Sequence, residues 1–179
     1  YSDPLIIFRD QPSKFLPHSG YLKPDLDRVA YWTSYFDKQF PRKMVVGISW
    51  STIGNSQNVE AMISTLRDWT PVLLVREIQF VNLQYGEVKD DLLWAKRTLD
   101  VNIEQLPNID LFNDLDDLAA VMSSMDLVIS TDNINSHLAG ALGATLWYLA
   151  PKHWFLLCGQ DFAPFYPRAE FFELNQDTY

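Results

Sequence analysis

Short apolar runs alternate with amphipathic stretches along most of the chain. A nearly continuous apolar run is typical of a strand buried on both faces, whereas apolar residues three and four apart predict a helix. The predicted strands are 44–50, 79–84, 101–104, 126–130 and 145–149, with 101–104 the weakest. The predicted helices are 24–39, 59–69, 90–99, 114–124 and 135–142.

Strands that alternate with helices predict right-handed β-α-β units around a mainly parallel sheet. We therefore predict an α/β, Rossmann-like, doubly wound fold. Residues 1–23 contain three prolines and follow no regular period, so we expect an extended lead-in there. The predicted organisation is a lead-in and helix at 1–40, followed by a Rossmann-like lobe at 41–179.

Composition narrows the class of protein. The 179 residues are 47% hydrophobic, which excludes wholesale disorder, and one cysteine excludes a disulfide framework. A net charge of −9 argues against a nucleic-acid partner, and three scattered histidines make a dedicated metal site improbable. No apolar run approaches the roughly 20 residues of a membrane span, so we expect a cytoplasmic protein. Because the chain begins with Tyr1, we expect an excised piece or a processed product.

Three loops follow predicted strands and are candidates for chemistry. Ligands of doubly wound sheets bind beyond the carboxyl ends of the strands, near the point where the strand order reverses. The loops are 49–58, 84–90 and 130–137. We expect a binding site, if the chain has one, to be built from these segments.

The loop at 130–137 is the most informative of the three. It enters a helix of small residues, and the unpaired N–H groups at a helix start are suited to an anion. We expect Asn135 or Ser136 to cap this helix, and Ala139, Gly140 and Ala141 to let it approach the sheet closely. Alternatively, the Asp and Asn residues of the loop simply form a turn. His137 alone fits either a structural or a functional role.

The other two loops carry weaker signals. The first is rich in small residues but lacks both the dinucleotide-binding and the P-loop glycine patterns, so a plain flexible loop is the alternative. In the second, Tyr85 and Gly86 fit either a ring stacked beside a base or a simple turn. We interpret the aromatic residues near the end of the chain as packing, and the acids at 114, 116 and 117 as favouring a helix dipole.

Two runs in the third loop and its helix resemble a known family. The run LVISTD at 127–132 and the run SHLAGALG at 136–143 resemble the motif of heptosyltransferase-like glycosyltransferases, glycosyltransferase family 9. The pattern is also similar to that of the catalytic tails of bacterial tetratricopeptide-repeat proteins. Four further segments fit in consistent order: 46–50, 80–86, 116–120 and 165–167.

The resemblance implies the C-terminal lobe of a GT-B glycosyltransferase, which holds a nucleotide-diphospho-sugar donor without a bound metal or other cofactor. It implies as a partner an N-terminal lobe, or a helical-repeat region, of the same parent chain. It assigns no catalytic residue. The residues that it places at the donor are Ser49, Trp50 and Ser51 lining the cleft, Gln84, Tyr85 and Gly86 near the base and ribose, and Asp132, Asn133, Asn135, Ser136 and His137 beside the phosphates or donor sugar.

Two positions depart from the family pattern. No Lys or Arg lies between Ser49 and Glu60, where a basic residue often helps to hold the diphosphate, and Asn133 replaces the usual Thr. These departures leave open a degenerate lobe that acts as a binding or interaction module. A flavodoxin-like regulatory domain is a third possibility, which the lack of an evident acidic phosphorylation pocket disfavours.

Overall fold

A five-stranded parallel sheet forms the centre of the molecule. The computed structural model describes residues 11–15, 18–52, 64–150 and 163–173. Within them the strands lie in the order β2-β1-β3-β4-β5, and every neighbouring pair is parallel. The strands are β1 (Met44–Ser49), β2 (Ile78–Asn82), β3 (Leu127–Thr131), β4 (Leu146–Ala150) and β5 (Ala169–Glu173). The predicted α/β, doubly wound fold is confirmed.

Helices cover the sheet on both faces. The α-helices are α1 (Leu26–Gln39), α2 (Thr70–Leu73), α3 (Lys89–Trp94), α4 (Leu115–Ser123) and α5 (Ile134–Leu142). Successive strand residues point to opposite faces, so Val45 packs in one hydrophobic cluster and Val46 in the other. Because both faces are buried, the central strands are apolar throughout rather than alternating.

The structure differs from the prediction at two predicted elements and at one strand that was not predicted. The weak strand at 101–104 is wrong, since only an isolated bridge pairs Val81 with Glu104. β5 was not predicted, because its edge position leaves it half-exposed and its sequence mixes acids with phenylalanines. The predicted helix at 59–69 falls partly outside the described residues, and Leu66–Trp69 is a 3-10 helix that leads into α2.

The N-terminal helix packs against the lobe. Asp25 caps α1 by accepting from the backbone N–H of Asp27 and of Arg28, at 2.9 and 3.0 Å. Trp32 is buried and donates its ring N–H to Asp117 at 2.9 Å. Asp114 caps α4, and Asp116 and Asp117 lie in its first turn. This arrangement agrees with the structural interpretation of the three acids.

Gly20 and Gly143 let the lead-in cross the end of α5. The backbone N–H groups of Tyr21 and Leu22 both donate to the carbonyl of Ala141, at 2.8 and 3.0 Å. Gly143 ends α5 with φ of 72°, and a Cβ atom there would lie 1.9 Å from the carbonyl oxygen of Ser19. Both the dihedral angle and the contact therefore select glycine.

We expect Gly143→Ala to lower the free energy of unfolding by about 2 kcal/mol, since it adds left-handed strain to a backbone clash. Urea denaturation measures the effect. Gly143→Asn is the control, because asparagine tolerates the dihedral angle but carries the same Cβ. A loss for Asn close to that for Ala identifies the clash as the main cause. An unchanged midpoint in both variants would contradict the close approach.

Candidate functional site

The strand order places a crevice between β1 and β3. β2 lies on one side of β1, and β3 begins the other half of the sheet, so the switch point falls between these two strands. Ser49 and Ser130 are register partners at their carboxyl ends. The first and third candidate loops therefore start side by side, as the sequence predicts.

Two asparagines at the start of α5 reach across the strand ends. The side-chain Nδ2 of Asn133 donates to Ser49 Oγ at 2.9 Å and to the carbonyl of Ser51 at 3.1 Å. Asn135 Nδ2 donates to the same Ser49 hydroxyl at 3.0 Å and to the carbonyl of Leu83 at 2.8 Å. These bonds fix the helix start against β1 and the segment after β2. The Oδ1 atom of Asn135 has no partner among the described residues.

Gln84 extends this network to the second candidate loop. Its Oε1 accepts from Ser49 Oγ at 3.1 Å and from the backbone N–H of Ser51 at 2.9 Å. Its own backbone N–H donates to Asn82 Oδ1 at 3.0 Å. Ser49 is fully buried and Gln84 is 4% exposed. Ser49 therefore sets the shape of the crevice rather than lining its surface.

Asn133, and not Asn135 or Ser136, caps α5, so that prediction is wrong. Asn133 is extended, and its Oδ1 accepts from the backbone N–H of Asn135 at 2.8 Å. Ser136 completes a capping box by accepting from the backbone N–H of Asn133 at 3.2 Å. The helix begins one residue earlier than predicted, and the backbone N–H groups of Asn135, Ser136 and His137 are engaged by Asn133.

Among the small residues of α5, Gly140 differs from the prediction. A Cβ atom on Gly140 would lie 2.4 Å from the ring of Tyr166, in the segment before β5. Gly140 therefore admits this ring, while Ala139 and Ala141 are buried.

A second cluster joins the loop after β3 to β4. Asp132 Oδ1 accepts a short hydrogen bond from Tyr148 and lies 3.3 Å from His137 Nε2. His137 Nδ1 lies 2.7 Å from the hydroxyl of Tyr166. Burial, together with nearby Tyr21 and Asp132, raises the pKa of Tyr166 to about 12. Burial and the bond to Asp132 raise the pKa of Tyr148 well above its ordinary value, so both phenols stay protonated at neutral pH.

A cleft of about 270 Å³ opens at the carboxyl ends of β1 and β2. Residues from the first two candidate loops line it together. Its lining consists of Trp50, Ser51, Ser64, Thr65, Arg67, Gln84, Tyr85, Glu87, Val88 and Asp91. Trp50 is buried and donates its ring N–H to Asp91 at 3.2 Å, and the Tyr85 ring centre lies 5.9 Å from that of Phe112. Four of the residues predicted for the donor site thus meet in one cleft.

Arg67 is a lining residue that the sequence reasoning missed. It is the one Lys or Arg among the described residues of the cleft, and its guanidinium lies 5.2 Å from the ring centre of Trp94. The family pattern expects a basic residue between Ser49 and Glu60. Arg67 lies further along the chain, in the 3-10 helix Leu66–Trp69, and lines the cleft from there. No local pattern in the sequence distinguishes it from a surface arginine.

The remaining predicted residues divide between cleft and surroundings. Gly86 is exposed, with φ of 90°, and is not among the lining residues. Asp132 and His137 belong to the cluster at β3 and β4, which the buried network of Asn133 and Ser49 connects to the cleft. Positions 53–58 of the first loop lie outside the described residues.

The described aromatic residues near the end of the chain pack against one another. Tyr148 and Phe171 lie 4.8 Å apart between ring centres, and Trp147 and Phe172 lie 5.2 Å apart.

Within residues 11–15, 18–52, 64–150 and 163–173, no group of His, Cys, Asp or Glu side chains is arranged to hold a metal ion. None of the helices there is long and apolar enough to cross a membrane.

Comparison with solved structures identifies the fold. The glycosyl transferase of family 9 from Veillonella parvula superposes with a TM-score of 0.63 at 14% identity, over 88% of this chain and 44% of that one. ADP-heptose lipopolysaccharide heptosyltransferase II of Escherichia coli gives 0.51 at 18% identity, over 82% and 44%. The chain has a glycosyltransferase-like fold. The expected likeness to family 9 is confirmed at the level of the fold.

A curated relative extends the comparison to sequence. Protein FlbA of Caulobacter vibrioides is 34% identical over 168 residues, which are 94% of this chain and 28% of FlbA. This chain thus spans less than a third of FlbA and less than half of each glycosyltransferase. No family model matches the sequence.

The strand order alone does not separate this lobe from a flavodoxin-like domain, which has the same order. The residues at the carboxyl end of β1 do bear on that possibility. They are Ser49, Trp50 and Ser51, where an acidic phosphorylation pocket would need carboxylates. The absence of carboxylates at these three positions favours the glycosyltransferase-like alternative.

Proposed function

We propose that the chain is the donor-binding, C-terminal lobe of a metal-independent GT-B glycosyltransferase. The observation that carries the proposal is the cleft beside the switch point, where Trp50, Ser51, Gln84 and Tyr85 meet Arg67. The donor is a nucleotide-diphospho-sugar. A second, N-terminal lobe of the parent protein supplies the acceptor site and the catalytic base, as the resemblance to family 9 implies.

The chemistry of the cleft suits the parts of such a donor. Tyr85 offers an aromatic face to the base, and the Glu87 carboxylate offers an acceptor for a ribose hydroxyl. The Arg67 guanidinium is planar and permanently charged, which matches a phosphate group. Asn133 engages the backbone N–H groups of Asn135, Ser136 and His137 at the start of α5. The side chain of Arg67 therefore carries more of the diphosphate charge than it would beside an uncapped helix.

Titration of the 179-residue chain with UDP-, ADP- and GDP-sugars tests this function. We expect one of them to bind with a submillimolar Kd in calorimetry, and equally well in Mg²⁺ and in EDTA. Amide NMR signals of Tyr85 and Ser51 should shift during the titration. Failure of all three to bind at millimolar concentration would contradict the donor site, and a requirement for Mg²⁺ would contradict metal independence.

A degenerate lobe that acts as an interaction module is the second candidate. The observation in its favour is that one cation in the cleft faces two carboxylates, Glu87 and Asp91. This alternative predicts that Asp132→Ala leaves the activity of the parent protein intact. A clear loss of glycosyl transfer in that variant supports the enzyme instead.

A further inference from the structure

We infer that Tyr148 and Tyr166 are positioning residues that hold the His137 ring with Nε2 facing Asp132, so that Nε2 donates to this carboxylate. His137 then acts through Asp132, and neither contacts the donor through a ring nitrogen nor transfers a proton. The effect on donor binding rests on the proposed function. The hydrogen bonding of the ring does not, and it can be measured separately.

The proton on Nε2 follows from the groups around Asp132. Tyr148 donates to Asp132 Oδ1, and His137 Nε2 lies 3.3 Å from the same oxygen. A carboxylate only accepts hydrogen bonds, so a ring nitrogen at that distance is stabilised when it carries the hydrogen. The Nε2 atom is therefore the donor of the pair.

The other ring nitrogen is engaged by Tyr166. Its hydroxyl lies 2.7 Å from His137 Nδ1. Burial, together with nearby Tyr21 and Asp132, raises the pKa of Tyr166 to about 12, so the hydroxyl engages Nδ1 as a neutral phenol. With Nε2 bonded to Asp132 and Nδ1 bonded to Tyr166, the ring has no nitrogen left for a ligand.

Packing makes the two phenols rigid. Tyr148 lies on β4 with no exposed surface, and its ring centre is 4.8 Å from that of Phe171. Tyr166 is 8% exposed and fills the space that Gly140 leaves open on α5. Rigid partners of this kind orient a functional side chain more precisely than mobile ones do.

Long-range ¹H–¹⁵N NMR of the labelled chain reads the ring directly. At pH 8 we expect Nε2 of His137 to carry a proton that is protected from exchange with solvent. In Tyr148→Phe and Tyr166→Phe we expect the protection to fall by about five-fold or more, since each variant loses one hydrogen bond of the cluster. An Nε2 atom without a proton, or unchanged protection in both variants, would overturn the inference.

Two isosteric replacements separate positioning from ligand contact. Glutamine places an amide nitrogen at the distance of Nε2 from the backbone, and asparagine places one at the distance of Nδ1. We expect His137→Gln to keep donor affinity within about two-fold, whereas His137→Asn and His137→Ala lose about five- to ten-fold. Equal losses in Gln and Ala, with melting temperatures unchanged, would overturn the role. If the wild-type chain binds no nucleotide-sugar, the proposed function fails while the NMR result still decides whether the two tyrosines hold the ring.

Discussion

Asn133→Ala is expected to lower the free energy of unfolding by about 3 kcal/mol. The substitution removes the cap of α5, which is worth about 1 kcal/mol. It also removes the bonds that the amide nitrogen donates to Ser49 Oγ, to the carbonyl of Ser51 and, at 3.4 Å, to Thr131 Oγ1, and so leaves the carbonyl of Ser51 without that donor. Asn133 is 6% exposed, so water does not readily replace these bonds.

Urea denaturation measures this loss of stability. A serine variant separates the contribution of the helix cap from that of the amide hydrogen bonds. Asn133→Ser keeps a capping oxygen but has no amide to reach Ser49 and Ser51. We expect it to recover about 1 kcal/mol of the loss, which is the contribution of the cap. A loss below about 1 kcal/mol for Asn133→Ala would show that the network adds no stability beyond the cap.

The same variant tests how stability and the site are coupled. The network of Asn133 joins the start of α5 to the loop after β1, and Ser51 of that loop lines the cleft. Loss of the amide therefore loosens a wall of the cleft as well as the fold. Under the proposed function, we expect donor affinity to fall in Asn133→Ser even at temperatures where the variant is fully folded.

The sequence was sufficient to predict most of the sheet because its central strands are buried on both faces. β1 and β3 are continuous apolar runs, and this signal needs no knowledge of their neighbours. β5 gives no such signal, since it lies at the edge and its two adjacent phenylalanines are flanked by glutamates. The strand order could not be derived from any local pattern, because it depends on how the β-α-β units cross over.

The site was predictable in position but not in its hydrogen bonding. Parallel strands bring their carboxyl ends to one edge, so the loops after β1, β2 and β3 had to lie near one another. Ser49 accepts from two asparagines and donates to Gln84. These bonds depend on differences in distance of less than an ångström or so, which the spacing of residues in a sequence does not specify. Arg67 escaped prediction for the same reason, because it reaches the cleft only through the packing of a short 3-10 helix.

Arg67→Ala is expected to weaken binding of the nucleotide-diphospho-sugar on the order of 10- to 100-fold, the cost of removing a charged hydrogen-bonding partner. The residue is exposed, so its removal should leave stability nearly unchanged. Affinity for the corresponding nucleoside, which has no phosphate, should change by less than about two-fold. Calorimetric titration of both ligands measures the difference.

Lys96→Ala is the matched control for charge. It removes one positive charge at an exposed pair with Asp100, 2.9 Å away and outside the lining of the cleft. A general effect of net charge on a −9 chain would weaken donor binding equally in both variants and would fall with added salt. A loss confined to Arg67→Ala, and only partly restored in Arg67→Lys, points instead to bidentate contact between the guanidinium and a phosphate group, because lysine supplies the charge without the planar fork.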